Sequence, residues 1–220
     1  MKAMILAAGR GERMKPLTNT LPKPLLEVGG KPLLQYHIEA LARAGIQDIV
    51  INHARMGELI EQRFGDGQAW QVRIEYSPEG DEPLETGGGI KRALGLLGED
   101  AFIVTNADVF TSYDFATLPW QPDTLAHMVM VPNPAHNENG DFELRDGLVK
   151  DQGAERYTFS GIAVYRPSLF KNTPQGKFPL APLLRQAMSG AGVSGELFEG
   201  TWVDVGTPER LHELNETLMK

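Results

Sequence analysis

Hydrophobic and polar positions alternate in blocks through the first half of the chain. Short apolar runs at Ala3–Ala8, Ile49–Ile51, Val72–Tyr76 and Ala101–Thr105 each predict a buried strand. Between them, Leu33–Ala44, Gly57–Phe64 and Gly88–Leu97 read as helices, and in the first of these Leu34, Ile38, Leu41 and Gly45 mark one face. Pro32 at the start of that helix and Gly45 just past its end are the expected punctuation, because proline tolerates a first turn and glycine a left-handed cap. Strands alternating with helices predict a Rossmann-like α/β fold, a doubly wound, mostly parallel sheet with helices on both faces. After residue 120 the rhythm changes. Thr124–Val131 and Thr158–Tyr165 read as strands, and Phe142–Val149 as a hairpin turning at Asp146-Gly147. Leu180–Ser189 reads as a short helix, Val193–Val205 as a strand pair and Pro208–Leu218 as a closing helix. The expectation is one domain, residues 1–220, with a mixed, β-rich second half.

Composition narrows the class. With 220 residues and 41% hydrophobic content the chain can bury one sizeable core. Lys and Arg number 21 against 29 Asp and Glu, a net charge of −8 that argues against coating nucleic acid or an anionic membrane by bulk charge. Cysteine is absent, which excludes disulfides, thiolate metal sites and cysteine nucleophiles and fits a reducing, cytoplasmic setting. The apolar run at Ala3–Ala8 is too short for a signal peptide, which needs ~7–15 apolar residues, or for a membrane span.

One segment breaks the charge balance. Gly9 to Pro32 has no hydrophobic periodicity, yet it holds Arg10, Arg13, Lys15, Lys23 and Lys31 against only Glu12 and Glu27. A basic loop in an acidic chain points to an anionic ligand, and Gly9 and Gly11 let the backbone approach one closely. The loop leaves the carboxyl end of the first strand, where open α/β sheets bind ligands. A dinucleotide-binding oxidoreductase is disfavoured, because Met14 stands at the third glycine position and Pro16 and Pro22 forbid an immediate helix. No P-loop string occurs.

The run Leu6-Ala7-Ala8-Gly9-Arg10-Gly11-Glu12-Arg13-Met14-Lys15-Pro16-Leu17-Thr18, continued by Leu21-Pro22-Lys23-Pro24-Leu25, resembles the signature of the sugar-1-phosphate nucleotidylyltransferases. That signature is G-x-G-x-R-x-x-P-L-T followed by P-K-P-[LM]. The resemblance implies a nucleotide-diphospho-sugar transferase fold, with residues 1–120 binding nucleotide and 121–220 binding sugar. It also implies a reaction in which a sugar phosphate oxygen attacks the α-phosphorus of a nucleoside triphosphate and pyrophosphate departs. Arg13 would neutralise the leaving pyrophosphate and Lys23 would bridge the two reacting phosphates. Ala8, Gly9, Gly11 and Glu12 would line the nucleotide, Glu12 through its backbone with its carboxylate in solvent. Glu85, Thr86 and Asn106 would lie by base and ribose, with Glu85 standing where many relatives carry glycine. The resemblance further implies Mg2+, held by Asp108 after the fourth strand and Asp204 in Trp202-Val203-Asp204-Val205-Gly206-Thr207-Pro208.

For the sugar, the resemblance points to Gly140, Asp141, Glu155, Thr158 and Gly161, although the family's N-x-G-[IV]-Y lacks its Asn here and its Glu-Lys-Pro is missing. Glu155-Arg156 is the nearest echo of the latter, with Lys150 as another cation. The combination E-P-L-E-T-G-G-G, N-x-D-V, F-S-G-I-x-V-Y and W-x-D-V-G-T-P-E-R-L implies UTP and N-acetylmuramate 1-phosphate as substrates, in cell-wall recycling. Arg156 or Thr158 would then meet the lactyl carboxylate. Glucose or mannose 1-phosphate with a uridylyl, thymidylyl or guanylyl group is the alternative within the class, and a non-catalytic nucleotide sensor the alternative outside it.

Overall fold

A computed structural model describes residues 1–120, 123–190 and 192–218. In chain order the elements are β1 (Ala3–Leu6), β2 (Glu27–Val28), β3 (Lys31–Pro32), α1 (Leu33–Arg43), β4 (Asp48–His53), α2 (Gly57–Phe64), β5 (Arg73–Pro78), α3 (Glu85–Leu97) and β6 (Phe102–Asn106). There follow β7 (Val109–Thr111), β8 (Ala126–Val131), β9 (Phe142–Arg145), β10 (Leu148–Lys150), β11 (Arg156–Tyr165), α4 (Ala181–Ser189), β12 (Val193–Leu197), β13 (Trp202–Asp204) and α5 (Pro208–Leu218).

Among the described residues, one sheet of nine strands runs β5-β4-β1-β6-β11-β8-β12-β10-β9. Its first four strands are parallel, as the β–α alternation predicts, and β11 reverses the direction against β6. Alternation along the parallel strands sends side chains to opposite faces. Met4, Val50, Phe102 and Val104 pack with α3 and α4, around a cluster in which the Phe102, Tyr165 and Phe170 rings meet. Ala3, Ile5, Ile49, Ile51 and Ile103 pack on the other face with Leu34, Ile38 and Leu41 of α1 and Ile60 and Phe64 of α2. The α1 end closes as its sequence predicts: Gly45 takes φ 78°, Ile46 N–H donates to Leu41 O, and Gly45 N–H donates to Ala42 O.

Three features depart from the sequence reading. The strand pair expected at Val193–Val205 does not form: β12 enters the main sheet between β8 and β10, while β13 pairs antiparallel with β7. Gly195 makes this insertion feasible, because a Cβ there would stand 2.5 Å from Val149 and 2.9 Å from Met128 O. Second, α3 starts three residues before Gly88, at Glu85. Third, the long basic loop is not featureless. It folds into three 3₁₀ turns, Glu12–Met14, Leu17–Asn19 and Lys23–Leu25, and then the β2–β3 hairpin. Its apolar residues Met14, Leu26 and Val28 join Leu211 and Leu214 of α5 in a third core cluster, and Gly29 N–H donates to Asn215 Oδ1 at 2.8 Å. The last helix therefore holds the first loop in shape.

His37 on α1 is buried against the sheet, with Nε2 2.7 Å from Val109 O and Nδ1 3.3 Å from Thr105 Oγ1. Burial pushes this imidazole down to about 4. A histidine in the unfolded chain titrates near ~6.5, so between there and about 4 the unfolded state binds the extra proton. Stability is then full above pH ~6.5 and falls as pH drops through the window. Urea midpoints, measured without divalent cation, should decline steadily from pH 6.5 to 4, and His37→Gln should flatten that slope, leaving the share of His127, which burial also lowers.

Candidate active site

The carboxyl ends of β1, β4 and β6, with the start of α3, surround one cleft. Its lining includes Ala8, Gly9, Lys23, Asn52, Glu79, Glu85, Thr86, Asn106 and Asp108. In the strand order, β1 sends its connection toward β4 on one side while β6 lies on the other, so the cleft opens at a topological switch point.

Two side chains that the sequence reading missed tie the cleft together. Asn52 at the end of β4 accepts from Ala7 N–H at 2.8 Å and donates to Glu79 Oε1 at 2.6 Å. The other Glu79 oxygen accepts from Leu84 N–H at 2.6 Å. The ends of β1 and β4 and the entry to α3 are thereby locked through one amide and one carboxylate. The only sequence signal for this was a polar residue following the apolar Ile49–Ile51 run, a common pattern. Glycines 87–89 serve this framework more than a nucleotide. A Cβ at Gly89 would stand 2.3 Å from Glu79 Oε1, one at Gly88 2.2 Å from Gly176 O, and one at Gly87 2.4 Å from the Phe178 ring. They let α3 pack on Glu79 and on the segment around Phe178, whose N–H donates to Leu84 O.

Lys23 is the buried cation of the site. Its 3₁₀ turn carries it into the cleft at 7% exposure, and Nζ lies 2.5 Å from Asp108 Oδ2. An ammonium withdrawn from water needs such a partner. Arg13, by contrast, is exposed, as is Glu12, whose carboxyl Lys15 holds below the usual range by hydrogen bond and charge. Gly11, Glu12 and Arg13 do not line the cleft, although Gly11 sits against it, since a Cβ there would lie 3.2 Å from Lys23 Cβ.

Asp204 comes beside Asp108 through the backbone: the β7–β13 ladder pairs Asp204 with Val109, and Val205 N–H donates to Asp108 O at 3.0 Å. Each carboxylate engages a cation through Oδ2, Asp108 with Lys23 and Asp204 with Arg210 at 2.8 Å. Neither Oδ1 has a hydrogen-bond partner among the described residues. These are two hard oxygen donors, one just before β7 and one at the end of the β13 paired with it, the kind of set that suits Mg2+, which takes one or two protein carboxylates and completes its shell with substrate oxygens and water. Among the described residues no cluster of three or more His, Cys, Asp or Glu could hold a metal alone.

The residues expected to meet the sugar fall into two groups. Asp141 is held in a network: Oδ2 accepts from Phe159 N–H at 2.8 Å and Oδ1 from Asn137 at 3.1 Å. Thr158 Oγ1 donates to Asn133 Oδ1 and accepts from Asn137 Nδ2. Gly140, at φ 62°, fits under Asn133 and the Arg156 backbone. Gly161, at φ 83° in the β11 bulge, leaves room for Asn106, which a Cβ would approach to 2.5 Å. Glu155 stands apart, exposed, and accepts from Tyr157 OH. Arg156 spends Nη2 on the carbonyls of Asp141 and Gly140, at 2.6 and 3.4 Å. Lys150 is exposed on β10.

A glycine-bearing loop at the switch point, a buried lysine facing an aspartate at a strand end, and a second aspartate alongside define the class. Residues 2–147 match the nucleotidyl transferase family, and the chain belongs to it. It is 51% identical to the N-acetylmuramate alpha-1-phosphate uridylyltransferase of Neisseria meningitidis serogroup B, over 97% of this chain and 96% of that one. It is 34% identical to the enzyme of the same name from Caulobacter vibrioides, over 94% of this chain and 92% of that one. In fold it matches a Bacillus anthracis protein assigned as a glucose-1-phosphate thymidylyltransferase, with a TM-score of 0.85 and 22% identity over 99% of this chain and 94% of that one.

Glu79→Gln would place an amide N–H₂ against one of the two donors that Glu79 now satisfies. We expect a loss of about 1–3 kcal/mol in urea unfolding, together with a raised KM for the nucleotide as the entry to α3 loosens.

Proposed function

We propose that the chain transfers UMP from UTP to N-acetylmuramate 1-phosphate, yielding UDP-N-acetylmuramate and pyrophosphate, as a step of peptidoglycan recycling. The observation that carries this reading is the 51% identity to a uridylyltransferase of that sugar across nearly the whole of both chains. The site's chemistry supports it. The nucleotide occupies the cleft of residues 1–120, with Ala8, Gly9, Glu85, Thr86 and Asn106 around it and the backbone of Gly11 and Glu12 at its edge. The sugar lies against residues 121–220, by Gly140, Asp141, Thr158 and Gly161.

In the reaction a phosphate oxygen of the sugar ester forms a bond to the α-phosphorus of UTP. The bond from that phosphorus to the bridging oxygen breaks, and pyrophosphate leaves with the electron pair. The attacking phosphate is already an anion, so no general base is required. The protein's task is to position two polyanions and offset their repulsion. Lys23, buried and charged, serves the α-phosphate and the incoming phosphate. Arg13, on its exposed turn, closes over the departing pyrophosphate, for which a guanidinium fork suits. Asp108 and Asp204 would hold Mg2+, which when bound supplies charge neutralisation at the triphosphate. Among the described residues no helix is long and apolar enough to cross a membrane, and substrate and product are both polar anions.

The test is pyrophosphate release with Mg2+ present, crossing UTP, dTTP, GTP and CTP with N-acetylmuramate, N-acetylglucosamine, glucose and mannose 1-phosphates. The strongest signal should come from UTP with N-acetylmuramate 1-phosphate; another dominant pair overturns the substrate reading, and silence throughout favours a nucleotide sensor. Lys23→Ala and Asp108→Ala should each lower kcat about 10²–10³-fold, with Asp108→Ala also losing stability in urea unfolding because it leaves the Lys23 ammonium buried without a partner.

A further inference from the structure

N-acetylmuramate 1-phosphate differs from N-acetylglucosamine 1-phosphate by a lactyl ether whose carboxylate is ionised at neutral pH. A protein that prefers it needs a cation beside the sugar. Of the two groups that the sequence offered, neither presents a free edge. Arg156 Nε is without a partner among the described residues but sealed from solvent, and its Nη2 is held on the Gly140 and Asp141 carbonyls. Thr158 is bonded to Asn133 and Asn137. Lys23 faces Asp108 in the nucleotide cleft, and Lys150 is exposed on β10.

A different arginine has the required setting. Arg210 is the third residue of α5, placed there by Thr207, which accepts from Arg210 N–H at 3.4 Å, and by Pro208 in the first turn. Its side chain is 19% exposed and reaches across to the loop between β8 and β9. There Nη1 lies 3.0 Å from His136 Nε2 and 2.8 Å from Asp204 Oδ2, while His136 Nε2 stands 3.3 Å from the same oxygen. Every side-chain hydrogen bond of Arg210 among the described residues runs through Nη1. Nε and Nη2 are without partners there, and neither is sealed from solvent. Nη2 lies over Gly206, where a Cβ would come within 2.4 Å, so the glycine is what permits the guanidinium this position. His136 belongs to the same loop as Asn137, Gly140 and Asp141, which places the group at the sugar side of Asp204.

We propose that Arg210, seated by Asp204 and His136, is the specificity residue that takes the carboxylate of the sugar substrate on its open Nε–Nη2 edge. The assignment rests on the reading that the sugar is N-acetylmuramate 1-phosphate. A guanidinium already fixed by one carboxylate loses little freedom on accepting another, and its two parallel N–H groups match the two oxygens of a carboxylate. One Asp204 oxygen thus holds the arginine, while the other has no partner among the described residues.

The experiment compares kcat/KM for N-acetylmuramate 1-phosphate, its lactyl methyl ester and N-acetylglucosamine 1-phosphate, each with UTP, in the unaltered protein, Arg210→Met, Arg210→Lys and Gly206→Ala. In the unaltered protein the ester should lose about 10- to 100-fold relative to the free acid, mostly in KM. In Arg210→Met the acid and its ester should become nearly equal, with Arg210→Lys and Gly206→Ala intermediate. If Arg210→Met depresses all three sugars alike and keeps their ratios, Arg210 only supports Asp204 and the proposal is overturned. An ester as good as the acid in the unaltered protein overturns it without any variant, which covers a variant that fails to fold. If the unaltered protein shows no preference for the muramate over the glucosamine ester, the substrate reading itself falls and this inference with it. A muramate preference that survives Arg210→Met sinks the inference alone.

Discussion

A lysine ammonium cannot be taken out of water without a carboxylate facing it, and among the described residues Lys23 meets that condition through Asp108 alone. The pair spans 85 positions of sequence and joins the basic loop after β1 to the end of β6. Around it the rest of the cleft is set. The loop can bring Lys23 inward because its apolar residues are held from outside by α5, with Met14, Leu26 and Val28 packed on Leu211 and Leu214. The end of β6 is likewise held from behind by His37 and from the side by the β7–β13 ladder. A segment with no hydrophobic periodicity of its own thus becomes a fixed surface by leaning on α5 and on the end of β6.

The same pairing occurs a second time. Asp204 faces Arg210 as Asp108 faces Lys23, and in each case one carboxylate oxygen is occupied while the other is uncommitted among the described residues. Charges held this way are oriented before any substrate arrives, so little reorganisation is needed when phosphate charge shifts during reaction. Asn52 and Glu79 form a comparable lock on the other side of the cleft, where backbone donors are satisfied by side chains.

Much of this was legible beforehand. The parallel strands, α1 with its proline start and glycine end, α2, α5 and the hairpin at Asp146-Gly147 follow from periodicity and turn chemistry, which act over a few residues. The roles sketched for Lys23, Asp108 and Asp204 came from the resemblance to the sugar-1-phosphate nucleotidylyltransferase motifs, and the structure brings these three residues to one region. The pairing of β12 was misread because adjacency in sequence is only a default for strand partners, and the three-residue β7 is too short to carry a period. Asn52 and Glu79 carry no local signal, since their importance lies in what they reach.

The sequence by itself therefore determined the α/β class, the membership of most elements and the chemical character of the basic loop, because these depend on near-neighbour spacing and residue type. The tertiary structure decided which charges face which. It buried Lys23 and left Arg13 exposed, set Arg156 Nη2 on backbone carbonyls, and kept one edge of Arg210 open beside the loop between β8 and β9. Those outcomes depend on contacts between segments far apart in the chain, Asn215 on Gly29 and Asp108 on Lys23 among them. No local pattern encodes such contacts; they exist only once the hydrophobic faces have packed and the remaining polar groups must find partners.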